Sequence, residues 1–230
     1  LLISKFNFSK DNIRFIKDEE ATLQSIKSAL YDVVRNAGEN DRILIYYSGH
    51  GETVPAIDGS DLGYIIPYEG KQSEPYVTGL SMDEILRTSR MANTKHMLFL
   101  MDACYSGLMT ETTKGLSKVT DAGYLSTISK EQSRQIITAG SGDQKVIERD
   151  EWQHSAFTKN LLSGLGDWAA DSDGSGYITA DELGTYLRVS VTDDTDNIQT
   201  PSKGRFQGSG TGEFIFFQLL NSSFKENYYD

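Results

Sequence analysis

Three short apolar runs constrain this chain more than any other feature: Arg42-Ile-Leu-Ile-Tyr-Tyr-Ser48, His96-Met-Leu-Phe-Leu-Met-Asp102 and Gln135-Ile-Ile-Thr-Ala139. Runs this short, nearly continuous and bounded by glycine, have the pattern of strands buried on both faces of a sheet. Each stops at a glycine turn: Ser48-Gly49-His50-Gly51, Cys104-Tyr105-Ser106-Gly107 and Gly140-Ser141-Gly142. Between them lie segments with helical spacing. Thr22 caps a helix carrying Leu23, Ile26, Leu30, Val33 and Val34, and Ser81 caps one carrying Ile85, Leu86 and Met91. Further helices are expected over 155–165, with Phe157, Leu161, Leu162 and Leu165, and over 180–190. Shorter strands are expected at 12–17, 64–67 and 213–217, and the Thr-, Ser- and Lys-rich segment 108–131 reads as a long loop. Buried strands alternating with amphipathic helices predict an α/β fold, with a mostly parallel central sheet flanked by helices.

Length and charge narrow the function. At 230 residues the chain holds one large domain, read here as residues 1–220 with a tail at 221–230. The formal charge of −11 opposes phosphate backbones, so no nucleic acid is expected as a partner; basic substrates suit it better. No apolar run reaches the roughly 20 residues of a membrane helix, and no signal peptide opens the chain, so a cytoplasmic protein with no membrane partner is expected. The single cysteine, Cys104, excludes an internal disulfide.

That thiol sits just past the end of one buried strand, and His50 sits just past the end of another, 54 residues earlier. In an open parallel sheet, chemistry gathers beyond the carboxyl ends of the strands. A thiol near an imidazole can ionise at neutral pH and attack a carbonyl, with the histidine protonating the leaving amine. The N–H groups of Gly51 and Cys104 are the candidate donors to the oxyanion. Alone, a cysteine after a strand is commonly a small buried apolar residue, and a histidine in a glycine turn a solvated one. The pairing at one sheet end is what discriminates. His96 opens its strand at the wrong end, and His154 precedes a helix in a polar segment.

Ser48-Gly49-His50-Gly51 and Asp102-Ala103-Cys104-Tyr105-Ser106-Gly107 resemble the histidine and cysteine motifs of caspase-like cysteine peptidases, nearest to the metacaspase and bacterial orthocaspase branch. Ile136-Ile-Thr-Ala-Gly140, Ser155-Ala-Phe-Thr158, Gln199-Thr-Pro201 and Gly212-Glu-Phe-Ile-Phe216 extend the likeness over residues 10–218. The resemblance implies a caspase-like three-layer sandwich and a Cys104–His50 dyad that needs no cofactor. It implies that Asp102, two residues before the nucleophile, selects a substrate with Arg or Lys before the scissile bond, Arg preferred. Asp143 and Glu148 are candidate further acidic contacts. It also implies a strand and helix upstream of Leu1, so that other chains or domains of a larger protein are candidate partners, and self-cleavage after the nucleophile, at Lys114 or Lys118. The alternative is a catalytically silent caspase-fold interaction module.

Asp171-Ser-Asp173-Gly-Ser175-Gly176-Tyr177-Ile178-Thr179-Ala-Asp-Glu182 fits the twelve-residue EF-hand loop. Asp171, Asp173, Ser175, Tyr177, Thr179 and Glu182 fall at the ligand positions, and calcium is the cation the pattern suits. The same sequence also serves as a purely structural turn.

Overall fold

The computed structural model describes residues 1–104, 110–111, 122–140 and 144–218. Its strands are β1 (Arg42–Ser48), β2 (Gly51–Pro55), β3 (Asp61–Ile65), β4 (Leu80–Ser81), β5 (His96–Cys104), β6 (Thr110–Glu111), β7 (Ser133–Gly140), β8 (Glu148–Arg149), β9 (His154–Ser155), β10 (Tyr177–Thr179), β11 (Ser202–Phe206) and β12 (Ile215–Phe217). Its helices are α1 (Leu2–Phe6), α2 (Leu23–Asn36), α3 (Pro75–Thr78), α4 (Met82–Ser89), α5 (Ala122–Lys130), α6 (Ala156–Gly166) and α7 (Ala180–Asp194). The main sheet runs β1-β5-β7-β11-β6; the β1–β5 and β5–β7 pairs are parallel, and β11 is antiparallel to both its neighbours.

The central strand β5 explains the three layers. Side chains alternate across a strand, and β5 is apolar on both faces. Leu98 and Leu100 pack with Phe157, Leu161 and Leu165 of α6 and Leu183 and Leu187 of α7. Met97, Phe99 and Met101 pack on the other face with Val34 of α2 and Met82 and Ile85 of α4. Each of these side chains stabilises the fold by about 2 kcal/mol when fully buried. The helices begin where a hydroxyl meets a free N–H: Thr22, Ser81, Ser155 and Thr179 each cap the residue three places on.

Several expectations are corrected. β1 is not buried on both faces: it pairs only with β5 among the described residues, lies at the sheet edge, and buries only Ile43. Segment 12–17 is not a strand; a 3-10 turn over Lys10–Asn12 leads into extended chain with no ladder, and Phe15 is 79% exposed. The strand expected at 64–67 is β3, displaced toward the N-terminus and hairpinned with β2. Segment 108–131 is not all loop, because Leu125 and Ile128 of α5 bury against Tyr177 and Ile215. β11 arises within a stretch read as irregular. Its Arg205 is buried and ion-paired with buried Glu213, and the same guanidinium donates to the Gly212 carbonyl at 2.6 Å.

His96 opens β5 at the end remote from the glycine turns and is 4% exposed. Its Nε2–H donates to the Glu131 carbonyl at 3.0 Å. Burial, then the nearby Arg42 charge, lowers its pKa from 6.5 to about 4. The unfolded chain therefore takes up this proton at higher pH than the folded one. Its contribution to stability is whole above pH 6.5 and is lost as pH falls toward 4, by about 3 kcal/mol at full titration. In His96→Gln, which keeps an N–H for Glu131, urea denaturation at pH 7 and pH 4.5 is expected to show a smaller loss of stability than in the unmodified chain. Equal losses would contradict it.

Candidate active site

The parallel register of β1 and β5 sets Ser48 beside Asp102, so His50 and Cys104 each lie two residues beyond the same rung of the ladder. The expected gathering at one sheet end is therefore present in the backbone. Three residues of β5 from Met101 to Cys104 span only two of β7, a bulge that brings Cys104 opposite Gly140. The Cys104 side chain, and all of Asp143, Lys114 and Lys118, lie outside the described residues.

The histidine turn is pinned by its backbone. Gly49 N–H donates to the Asp102 carbonyl at 3.3 Å, and the His50 carbonyl accepts from Ile66 N–H at 2.9 Å and from the Tyr47 hydroxyl at 2.8 Å. The Tyr47 hydroxyl also lies 3.0 Å from the Ile66 carbonyl. Burial raises the Tyr47 pKa to about 12, so it stays a donor. A Cβ at Gly49 would come within 2.7 Å of that hydroxyl, which is why glycine stands there. The imidazole itself is exposed. Because Ile66 N–H bonds back to His50, Gly51 and Ile65 form a non-hydrogen-bonded pair, and Gly51 N–H points away from β3. Among the described residues it has no partner in the β2–β3 ladder.

Asp102 is the unusual group. Its side chain is buried, at 2% exposed. Oδ2 accepts from Ser155 Oγ at 2.5 Å and Thr158 Oγ1 at 2.6 Å, while Oδ1 has no hydrogen-bond partner among the described residues. Desolvation raises its pKa above the usual carboxyl range; hydrogen bonds from Ser155 and Thr158 oppose this, while the Glu148 charge adds to it. Asp102 borders a cleft of about 510 Å³, lined among others by Tyr46, Ser48, Glu148, Arg149, Asp150 and Thr158. Its outer wall is the β8–β9 hairpin, which sets exposed Glu148 opposite Ser155. At the hairpin tip Trp152 carries the Arg149 guanidinium 4.5 Å and the Lys159 ammonium 5.1 Å from its ring centroid, and Gln153 adopts φ 55°. His154 also lines the cleft.

Sequence reasoning missed Tyr46, Asp150 and the pocket role of Ser155 and Thr158. Ser155 and Thr158 did carry a signal, a helix cap followed three residues on by a second hydroxyl; Tyr46 carried none.

The acidic loop lies elsewhere. β10, which lies within it, pairs with β12, and Arg42 at the start of β1 donates to the β12 carbonyl of Ile215 at 2.5 Å. The loop thus neighbours the end of β1 opposite His50. Carboxylate oxygens of Asp171, Asp173 and Glu182 lie within 4.8 Å of one another. Glu182 also closes a capping box, accepting Thr179 N–H at 3.0 Å, and its other oxygen accepts Ser172 Oγ at 3.0 Å. Ser175 Oγ donates to the Tyr177 carbonyl at 3.1 Å. Gly176 makes its turn at φ 82°. The donor set fits a hard cation, and internal hydrogen bonds already engage much of it.

The chain matches the family described as the caspase domain over residues 2–205. Metacaspase-6 of Arabidopsis thaliana is 29% identical over 157 residues, covering 61% of this chain and 40% of that protein. Metacaspase-1 of Eremothecium gossypii is 25% identical over 62% of this chain and 34% of its own length. Metacaspase-1A of Aspergillus terreus is 22% identical over 99% of this chain and 57% of its own length. The chain therefore spans about half the length of these relatives or less. A crystal structure of a Geobacter sulfurreducens protein superposes with a TM-score of 0.53 at 16% identity, covering 83% of this chain and 75% of that one, a likeness of fold alone. Among the described residues, no helix is long and apolar enough to cross a membrane.

Proposed function

The chain belongs to the caspase-domain family, and from that premise we propose that it is a cysteine endopeptidase cleaving after a basic residue. The observation that carries the substrate class is the buried carboxylate of Asp102, a residue lining the cleft, whose Oδ1 has no hydrogen-bond partner among the described residues. Leaving such an atom bare is costly, and a cationic side chain donating to it removes the cost. Acid side chains are repelled there by Asp102, Glu148 and Asp150, which outnumber the one lining cation among the described residues, Arg149, itself paired with Glu151 and stacked on Trp152. With Oδ2 already taken, Asp102 offers one acceptor. An arginine donates one N–H to Oδ1 and turns another toward Glu148, which a lysine's single ammonium does less well. That is the basis for Arg over Lys.

In the proposed reaction the Cys104 thiolate attacks the basic residue's own carbonyl carbon. The oxyanion accepts from the N–H groups of Gly51 and Cys104. The C–N bond breaks as His50 protonates the leaving nitrogen. Water then attacks the thioester, His50 takes its proton, and the Cys104 thiolate departs.

Calcium at Asp171, Asp173 and Glu182 is part of the proposal as a modulator, acting from the far end of the sheet, and takes no part in the chemistry. Self-cleavage at Lys114 or Lys118 is its second regulatory part. A peptidyl chloromethyl ketone ending in arginine, incubated with and without calcium and followed by intact mass and peptide mapping, tests these together. Alkylated Cys104 is expected, with an aspartate-ended reagent inert and calcium raising the labelling rate. An unmodified Cys104 would favour the silent interaction module. Equal rates would remove calcium, and a mass unchanged against a Cys104→Ala control would remove self-cleavage.

A further inference from the structure

Three hydroxyls converge on one oxygen of Asp102, directly or in sequence, and one of them comes from the sheet's outermost described strand on that side, β1. Thr158 Oγ1 lies 2.6 Å from Asp102 Oδ2 and 2.6 Å from the Tyr46 hydroxyl. Thr158 has a single hydroxyl proton. A carboxylate only accepts, so that proton goes to Asp102, and the Tyr46 O–H must be the donor to Thr158. The result is a one-way chain, Tyr46 O–H to Thr158 O–H to Asp102 Oδ2, with Ser155 Oγ donating to the same oxygen at 2.5 Å. Hydrogen bonds in series of one sense strengthen each other, most of all where they end on a charge. Ser155 is itself held, because it caps α6 by accepting Thr158 N–H at 2.9 Å.

We propose that Tyr46 and Thr158 are specificity-determining residues of the basic-residue pocket: their hydroxyl chain keeps Asp102 charged and fixes the orientation of its carboxylate, whose buried Oδ1 has no hydrogen-bond partner among the described residues. This rests on the reading of the cleft beside Asp102 as the subsite for Arg or Lys. Both residues act through Asp102 and are positioning residues. Without the Tyr46 O–H, the Thr158 hydroxyl is a weaker donor and is free to rotate toward other acceptors. The carboxylate then loses both charge stabilisation and orientation, and the cation meets a poorer partner. Tyr46 is 46% exposed, so its ring stands in the cleft wall while its hydroxyl reaches inward.

The test is the ratio of kcat/KM for two peptides differing only in arginine against norleucine before the scissile bond. A ratio cancels any general loss of active protein. Tyr46→Phe and Thr158→Val are each expected to lower it about tenfold, mainly through KM for the arginine peptide. Thr158→Ser, which restores the hydroxyl, is expected to recover most of the loss, and Tyr46→Phe combined with Thr158→Val to cost little more than either alone. If both single variants keep the unmodified ratio, or lower turnover of the two peptides equally, the hydroxyl chain has no part in selectivity. If the unmodified protein turns over both peptides and does not favour arginine, the pocket reading itself fails, and this inference with it.

Discussion

Replacing Cys104 with alanine is expected to abolish hydrolysis of an arginine peptide, lowering kcat by about 10⁴-fold or more, and replacing His50 with alanine is expected to do nearly as much. The size follows from the roles. In the proposed mechanism the Cys104 sulfur attacks the carbonyl, and the sequence holds no second cysteine to take its place. In the same mechanism His50 supplies the proton without which the amine cannot leave. The two act as one unit, so Cys104→Ala with His50→Ala is expected to cost about as much as the worse single change. The His50 turn is well enough braced, by Tyr47, Ile66 and Asp102, for removal of the exposed imidazole to leave the backbone in place. Steady-state kinetics with circular dichroism as a folding control reads this. Turnover persisting in Cys104→Ala would refute the mechanism.

The second large effect falls on Asp102. Asparagine there keeps the shape and removes the charge. Selectivity for arginine over norleucine is expected to fall about a hundredfold, the scale of breaking one partner of a desolvated charge pair. The same change is expected to stabilise the fold. The Asp102 pKa is raised in the folded state, so the folded protein binds this proton at higher pH than the unfolded chain does. Stability is therefore lost as pH rises from the unfolded carboxyl value through the raised one, and at neutral pH the ionised group is a standing cost. Asparagine does not ionise, so that cost goes. A higher Tm at pH 7.5 together with lost selectivity marks a group kept for function at the expense of stability. A lower Tm with unchanged selectivity would make Asp102 a structural anchor of the Ser155 cap.

How much of this was legible in the sequence depends on where each interaction's partner lies in the chain. β5 and β7 could be read directly, because both faces are buried and their residues say so. β1 carries the same kind of run and was over-read, since composition does not reveal that one side of its ladder is open. The β2–β3 hairpin hid behind mixed residues and turns at Gly59 with φ 84°. β11 hid because Lys203 and Arg205 look solvated; Arg205 is buried only because Glu213 and the Gly212 carbonyl await it. His50, Asp102 and Cys104 were legible as polar groups closing apolar runs. Their supports were not. The Ser155–Asp102 bond joins residues 53 apart, and the Tyr46–Thr158 bond residues 112 apart, with no local pattern to announce either.

The central claim is that the buried Asp102 carboxylate bordering the cleft selects a cationic side chain for attack at Cys104. The most direct measurement is kcat/KM on fluorogenic peptides identical except for Arg, Lys, norleucine or Asp before the scissile bond. The account predicts Arg above Lys, both far above norleucine, and no detectable turnover of Asp. A preference for Asp, or equal turnover of all four, would contradict it.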